Sequence, residues 1–255
     1  MAYSLNGSNQ YIDCGNPAGL NPTVPFTVLC KLVPGGGGSY NGTLISRTQS
    51  GSNGWQFLRR DQNFLRFTKL GVVDLSANSV TVATGVEQLV AAIVTSTAVK
   101  FVRVTTDGSV LSQTVANSQG FVGTPNMARI GERAGSHYQG SIWDVAKYNA
   151  ALTDDELIAM AIGGRPPDVR AAGLAFYAPL TRELTEWVGG ATLTAVNSPT
   201  VADSGRIILP RRRTIIQVPA AGETVVGAGG SLHPIGIGAV GLARGLSAIE
   251  YGSPT

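Results

Sequence analysis

Short segments with the composition of β-strands, separated by turn residues, recur along most of the chain and constrain its fold more than any other feature. Residues 99–106 and 110–115 are rich in valine and threonine and flank Asp107-Gly108, a dipeptide that favours a type I′ hairpin turn. Residues 87–95 instead form a continuous apolar run, which is typical of a strand buried on both faces. Strands at this spacing predict an antiparallel sandwich or jelly roll rather than a parallel sheet.

Residues 26–33 show the alternation of a strand with one buried face, because Phe26, Val28, Cys30 and Leu32 occupy every second position. A chain of 255 residues, 43% of them hydrophobic, can bury a core without disulfides or metals. Further strands are predicted at residues 54–59, 63–68, 173–180 and 191–194.

One helix is predicted after residue 153. Thr153 and Glu156 have the spacing of a capping box, and Asp154 and Asp155 place negative charge in the first turn, where it suits the helix dipole. Gly163-Gly164 would end the helix after about two turns.

The order of these elements resembles the laminin-G-like, concanavalin-A-like jelly-roll family. The most specific part is the closing block, a strand over residues 138–148 followed by the helix over residues 151–158, and the resemblance covers about residues 1–160. The sequence departs from the family at Lys31 and Glu87-Gln88, where the family usually has Trp and Trp-His. The other matching segments are residues 3–13, 25–30, 42–46 and 128–131.

Residues 173–194 resemble the segment that precedes the family's first strand, so the order looks circularly permuted. We therefore expect residues 174–180 to pair with the first strand and close the sheet. The predicted fold is an all-β, concanavalin-A-like jelly-roll sandwich with one short helix and an extended C-terminal arm. The predicted domains are residues 1–205 for the jelly roll and 206–255 for the arm.

The predicted arm is rich in glycine and proline and lacks a hydrophobic period, so it cannot easily form a core of its own. We expect it to be ordered only on a partner. The candidate partner-binding residues are Arg211, Arg212 and Arg213 at its root and the apolar Ile235, Ile237, Leu242 and Leu246 further along.

Composition excludes several classes of protein. Charged residues make up only 14% of the chain, and 19 Lys plus Arg against 16 Asp plus Glu give a net charge of +3, too small to indicate nucleic-acid binding. The apolar run at residues 225–243 is interrupted by glycines and reads as no membrane span. No secretory signal is visible, so we expect Cys14 and Cys30 to be free buried thiols, with one disulfide as the alternative.

The sequence offers no pattern of catalytic residues. The alternating Glu-x-Asp-x-Glu strand of related sandwich glucanases is absent, and the consecutive residues 154–156 spread around a helix. Glu183 and Glu186 read as loop residues, while His137 and His233 stand alone, with no second metal ligand or triad partner at a usual spacing. We therefore expect no enzymatic activity.

Binding of calcium or sugar stays open. No cofactor is predicted, although calcium is common in laminin-G-like domains and could use the scattered oxygens of Asp13, Asn16, Asp74 and Asp144. A sugar site would need an exposed aromatic platform. The three tryptophans are Trp55, Trp143 and Trp187, of which Trp143 reads as part of the core.

A lectin-like jelly roll with a glycine-rich arm resembles virion proteins of tailed bacteriophages, particularly capsid decoration (cement) proteins. The resemblance implies a non-enzymatic virion structural protein, assembled in the host cytoplasm, that contacts the major capsid protein or other virion subunits and forms a homo-oligomer. Neither nucleic acid nor a membrane is an expected partner. The alternative is a carbohydrate-binding, lectin-like module for attachment to host or surface glycans.

Overall fold

The computed structural model describes residues 2–36, 41–49, 53–60, 63–123 and 125–202. The predicted arm lies outside these residues, and with it Arg211, Arg212, Arg213, Ile235, Ile237, Leu242 and Leu246. None of the described helices is long and apolar enough to cross a membrane. The described strands are β1 Ala2–Asn6, β2 Tyr11–Gly15, β3 Phe26–Pro34, β4 Asn41–Gln49, β5 Asn53–Arg60, β6 Phe64–Lys69, β7 Val73–Thr81, β8 Gln88–Val94, β9 Ala98–Thr105, β10 Val110–Ala116, β11 Met127–Ile130, β12 Glu132–Arg133, β13 Ser136–His137, β14 Gln139–Tyr148, β15 Leu174–Ala178, β16 Thr194–Val196 and β17 Thr200–Ala202. The helices are a 3₁₀ turn at Ala18–Leu20, α1 at Asp154–Ala161 and α2 at Pro166–Val169.

Two antiparallel sheets form the predicted sandwich. The first sheet has the strand order β10-β9-β8-β3-β14-β1-β17, with β15 also paired to β14. The second has the order β16-β2-β11-β4-β5-β6-β7, and β12 and β13 form a separate small hairpin. The predicted all-β jelly-roll class, with one short capped helix, is therefore confirmed.

The two central strands of the first sheet show how the apolar pattern sets burial. In β3, Phe26, Val28, Cys30 and Leu32 lie in the core between the sheets, as their alternation predicts. The expectation of a single buried face was wrong, because the other face is also covered and Leu29 packs in the second apolar cluster under α1. Every residue of β8 is buried, because one of its faces joins that core and the other packs under helix α1 in a second apolar cluster. The continuous apolar run of β8 thus marks a strand covered on both sides.

Helix α1 starts at the predicted capping box. The Thr153 hydroxyl accepts a hydrogen bond from the Glu156 N–H at 3.2 Å, and the Glu156 carboxylate accepts one from the Thr153 N–H at 2.8 Å. The helix ends before Gly163, whose φ of 135° leaves the helical region. The one-turn helix α2 was not predicted, because Pro166-Pro167 reads as a break although proline also fits a first helical turn.

The predicted hairpin of β9 and β10 is present, but its turn is not type I′. Among the turn residues only Gly108 has a positive φ, 87°, whereas type I′ needs two. The Gly108 N–H instead bonds the Thr105 carbonyl at 2.9 Å, and the Asp107 carboxylate accepts the Ser109 N–H at 3.0 Å. The aspartate side chain therefore favours a wider turn that ends in one left-handed glycine.

The sheet closes differently from the expectation that residues 174–180 pair with the first strand. Strand β15 pairs with β14, and the edge of β1 is covered by β17. Strand β14 is ten residues long and β1 pairs only with residues 139–142, so the segment at 145–148 is left for β15. The short strand predicted at residues 191–194 is displaced to Thr194–Val196, where it pairs with β2.

Candidate functional site

Three of the five acidic residues considered for catalysis have structural partners. Asp154 forms an ion pair with Lys100 at 2.7 Å. Glu156 caps helix α1 and also forms an ion pair with Arg170 at 3.0 Å. The buried carboxylate of Glu186 accepts backbone N–H groups, including that of Tyr177 at 3.0 Å. These carboxylates therefore serve the helix start and the edge of β15.

The buried Asp144 is the partner of Lys31, the residue that stands where the family usually has tryptophan. The Lys31 Nζ lies 2.9 Å from the Asp144 carboxylate and donates to the Gly164 carbonyl at 2.9 Å. The Tyr177 hydroxyl donates to the same carboxylate at 2.7 Å. This exchange of an apolar ring for a charged pair ties β3, β14 and β15 together, and it leaves Asp144 engaged rather than open to calcium.

The other oxygens considered for calcium are also engaged and lie apart. Asp74 contacts Arg66 at 3.0 Å and Thr68 at 2.7 Å, while Asp13 accepts the Gly15 N–H at 2.7 Å. Within the described part of the chain, no group of three or more His, Cys, Asp and Glu residues is placed to hold a metal ion. Cys14 and Cys30 are free and buried there, as expected.

A cleft of about 390 Å³ lies at the end of the second sheet where β2 and β4 finish. Its walls come from the loop around the 3₁₀ turn and from the loop that leads into β11. Gly123 is part of this second wall, and a Cβ added to it would come within 2.6 Å of the Asn53 side chain. The lining residues are Asn16, Ala18, Asn21, Pro22, Arg47, Gly123 and Pro125.

Arg47 forms the floor of the cleft and is only 2% exposed. Its Nη2 donates to the side-chain oxygens of Asn16 at 2.6 Å and Asn21 at 3.0 Å. Within the described part of the chain, its Nε and Nη1 have no hydrogen-bond partner and Arg47 forms no ion pair. Burial lowers the pKa of Arg47, but a guanidinium stays charged at neutral pH.

A second buried cation shares Asn21 with Arg47. The Lys147 Nζ donates to the Asn21 carbonyl at 2.7 Å and to the Asn149 side chain, and it lies 5.4 Å from the centre of the Phe26 ring. Burial lowers the pKa of Lys147 to about 8. Arg47, which lines the cleft, and Lys147, which does not, are therefore two buried positive charges that share Asn21 and are solvated by amide oxygens.

The cleft was not predicted from sequence. Asn16 was considered for calcium, yet its oxygen accepts from Arg47 instead. Arg47 and Lys147 carry no local pattern that would indicate burial, because the loops that cover them come from distant parts of the chain.

Trp187 is the exposed tryptophan of the three. Trp55 and Trp143 are buried, which confirms the interpretation of Trp143 as core, whereas Trp187 is 47% exposed. Its ring packs edge-on against Tyr177 at 5.6 Å between centroids, and the Arg165 guanidinium lies 5.6 Å from its centre. It is the exposed aromatic ring that a sugar platform would require, but it is not among the described residues that line the cleft, so binding in the cleft would depend on polar groups instead.

Solved structures share the fold at low sequence identity. A protein from Bacteroides ovatus to which carbohydrate binding has been ascribed matches with a TM-score of 0.54 and 14% identity, over 79% of this chain and 63% of that chain. A heptameric SAP-like pentraxin from Limulus polyphemus matches with a TM-score of 0.52 and 14% identity, over 78% of this chain and 93% of that one. This chain thus spans less than two thirds of the Bacteroides protein, and these likenesses show the fold alone.

The match to a protein family is more direct. No curated protein matches the sequence, but residues 6–158 match the Laminin_G_3 family model, described as the concanavalin A-like lectin/glucanases superfamily. Those residues make up more than half of the chain and contain β2 to β14 and the start of α1. The chain therefore belongs to the laminin-G branch of the concanavalin A-like lectin/glucanase superfamily.

Proposed function

We propose that the jelly roll is a non-enzymatic glycan-binding module whose ligand sits in the Arg47 cleft. The observation that carries the proposal is a cleft of about 390 Å³ whose lining joins a buried guanidinium and two asparagine side chains. That volume is within the range of small-ligand sites, and a few fixed polar groups on a rigid scaffold are what such sites use for specificity. The loops that form its walls rest on strands β2, β4 and β11, which hold them in place.

The absence of catalysis is part of the proposal. Asp154, Glu156 and Glu186 are engaged in an ion pair, a helix cap and a backbone turn, so none of these three is left as a free acid or nucleophile. We expect no release of reducing sugar from glucans or related polysaccharides. Release that is lost on replacing one Asp or Glu would overturn this part.

The cleft can be tested by filling it. Ala18 is exposed at its rim, so Ala18→Trp should block the cleft without disturbing the core. Val86→Trp is the matched control, because Val86 is exposed beside Gly85, whose N–H bonds the Pro34 carbonyl at the opposite end of β3. On a glycan array, the native protein and Val86→Trp should bind the same glycans and Ala18→Trp none. Equal binding by all three would refute the cleft as the site.

A second candidate function rests on the sequence of residues 206–255. Apolar residues such as Ile235 and Leu246 stand there among glycines, a composition suited to an extended segment that binds along other subunits. We propose on this basis that the protein also decorates or cements a bacteriophage capsid, with the major capsid protein or copies of itself as partners. Deletion of residues 219–255, followed by measurement of oligomer size and particle binding, tests this proposal.

A further inference from the structure

The hydrogen bonds at the floor of the cleft are unbalanced. Arg47 presents five N–H donors, and the described residues satisfy only those of Nη2. A buried cation without an anionic partner costs free energy, and unpaired donors add to that cost. The folded protein tolerates this cost, and an anionic acceptor that bonded the guanidinium would reduce it.

The surroundings of Arg47 are cationic. None of the described residues that line the cleft is acidic, and Lys147 lies behind it on the other side of Asn21. Lys69, also buried, bonds the Gln119 carbonyl in the loop that leads to the Pro125 wall. The nearby Asp13 is occupied by the Gly15 N–H and lies 4.0 Å from Arg129.

The groups around the floor are mainly donors. The side-chain oxygens of Asn16 and Asn21 are turned to Arg47, so their amide NH₂ groups remain as donors. A sugar hydroxyl both donates and accepts, whereas a carboxylate only accepts and matches the planar guanidinium with two parallel hydrogen bonds. The cleft thus selects an acceptor with negative charge.

From this arrangement we infer that the Arg47 cleft takes the carboxylate of an acidic saccharide, a uronic or sialic acid unit. The inference rests on the proposed glycan-binding function and specifies its ligand class. The asparagine oxygens hold the acceptor positions while the cleft is empty. The carboxylate replaces one of them at the guanidinium, and that asparagine then turns its NH₂ group toward the ligand. No covalent step is involved.

The test uses the full chain and two pairs of probes that differ in the charge of the carboxylate. Trigalacturonate is compared with its methyl ester, and sialyllactose with lactose, by isothermal titration calorimetry at low and at 0.5 M salt. In the native protein we expect at least one acid to bind tenfold or more tightly than its neutral partner. The preference should shrink at high salt, because screening weakens the attraction between charges.

Variants locate the preference. Arg47→Met removes an unpaired buried charge at similar length, so it should fold with an unchanged or higher melting temperature and lose the preference for acid. Arg47→Lys keeps the positive charge but lacks the planar guanidinium that bonds a carboxylate with two hydrogen bonds, so it should retain part of the preference for acid. Val86→Trp should bind like the native protein.

The possible results separate the two proposals. Equal affinity for acid and neutral probes, abolished by Ala18→Trp, would overturn the acidic ligand and leave glycan binding intact. A preference for acid that survives in Arg47→Met would overturn the role of Arg47. Failure of both acids and both neutral sugars to bind would overturn the inference, whereas the glycan array decides on glycan binding itself.

Discussion

Three buried basic side chains illustrate how differently this fold treats positive charge. Lys31 is paired with the Asp144 carboxylate at 2.9 Å, whereas Arg47 and Lys147 are solvated by amide oxygens. The first arrangement neutralises charge and joins strands. The second leaves net charge beside an open cleft, which is an arrangement suited to binding.

Lys147 gives a pH-dependent test of this charge. Its pKa of about 8 in the fold lies below the ordinary value of 10.5, so between these values the unfolded chain binds more protons and stability from this group rises with pH. Burial raises the pKa of Cys14 and Cys30, which has the opposite effect on stability above about pH 8.5. The native protein and a Lys147 variant both keep these thiols, so the difference between their stabilities reports the effect of the lysine alone.

We therefore expect the free energy of unfolding of Lys147→Met, relative to the native protein, to fall by about 2 kcal/mol between pH 7 and pH 10. The stability of Lys147→Met relative to the native protein should be highest at pH 7, where the native protein must bury a charged lysine. Urea unfolding followed by fluorescence at several pH values measures the difference. A difference that stays constant with pH would show that Lys147 keeps an ordinary pKa.

The helices and strands that could be predicted from the sequence are those whose features depend on residues adjacent in the chain. The apolar run of β8 and the capping box of α1 are properties of adjacent residues, and the structure confirms both. The alternation of β3 identified its core face but not the burial of its other face, which is covered by elements distant in sequence. The predicted pairing of β15 with the first strand was wrong, because the alternation of apolar residues within a strand does not identify the strand beside it. The cleft was missed for a similar reason, since Arg47 is buried by loops that are distant in sequence.

The capping box can be tested by itself. Thr153→Ala removes the acceptor for the Glu156 N–H, so we expect a loss of about 1 kcal/mol in the free energy of unfolding. Thr97→Ala is the control, because Thr97 is an exposed turn residue that caps no helix. Urea unfolding should separate the two variants, and equal stability of both would show that the box contributes nothing measurable.

The closure of the sheets predicts the effect of truncation. Removing everything after Gly164 takes away β15, β16 and β17 and uncovers the edges of β14, β2 and β1. Exposed edges pair with other chains, so we expect an insoluble or molten product. A second truncation after Ala202 keeps every described strand and should stay soluble. A soluble chain ending at Gly164 with a sharp thermal transition would contradict the closure.

At the scale of the whole molecule, the arm decides between solitary binding and assembly. Ordering its backbone costs about 1–2 kcal/mol per residue, and glycines at short intervals prevent it from forming a core that could offset this cost. It is nevertheless not charged like a solvated tail, since Ile235, Ile237, Leu242 and Leu246 favour burial. Both properties are met if the arm lies along another subunit, with residues 211–213 at its root. The boundary between jelly roll and arm, near residue 205, stays a prediction.

Deletion of residues 219–255 should therefore leave the jelly roll folded and weaken its assembly. The last described strand ends at Ala202, so no described element is lost and the melting temperature should not change. Oligomer size by sedimentation and the fraction bound to capsid particles should both decrease, because the apolar contacts of the arm are gone. Replacing residues 211–213 with glutamine should have a smaller effect in the same direction, since it removes the charges at the root alone. Unchanged oligomer size and particle binding after the deletion would refute the arm hypothesis and leave the proposed glycan binding as the remaining candidate function.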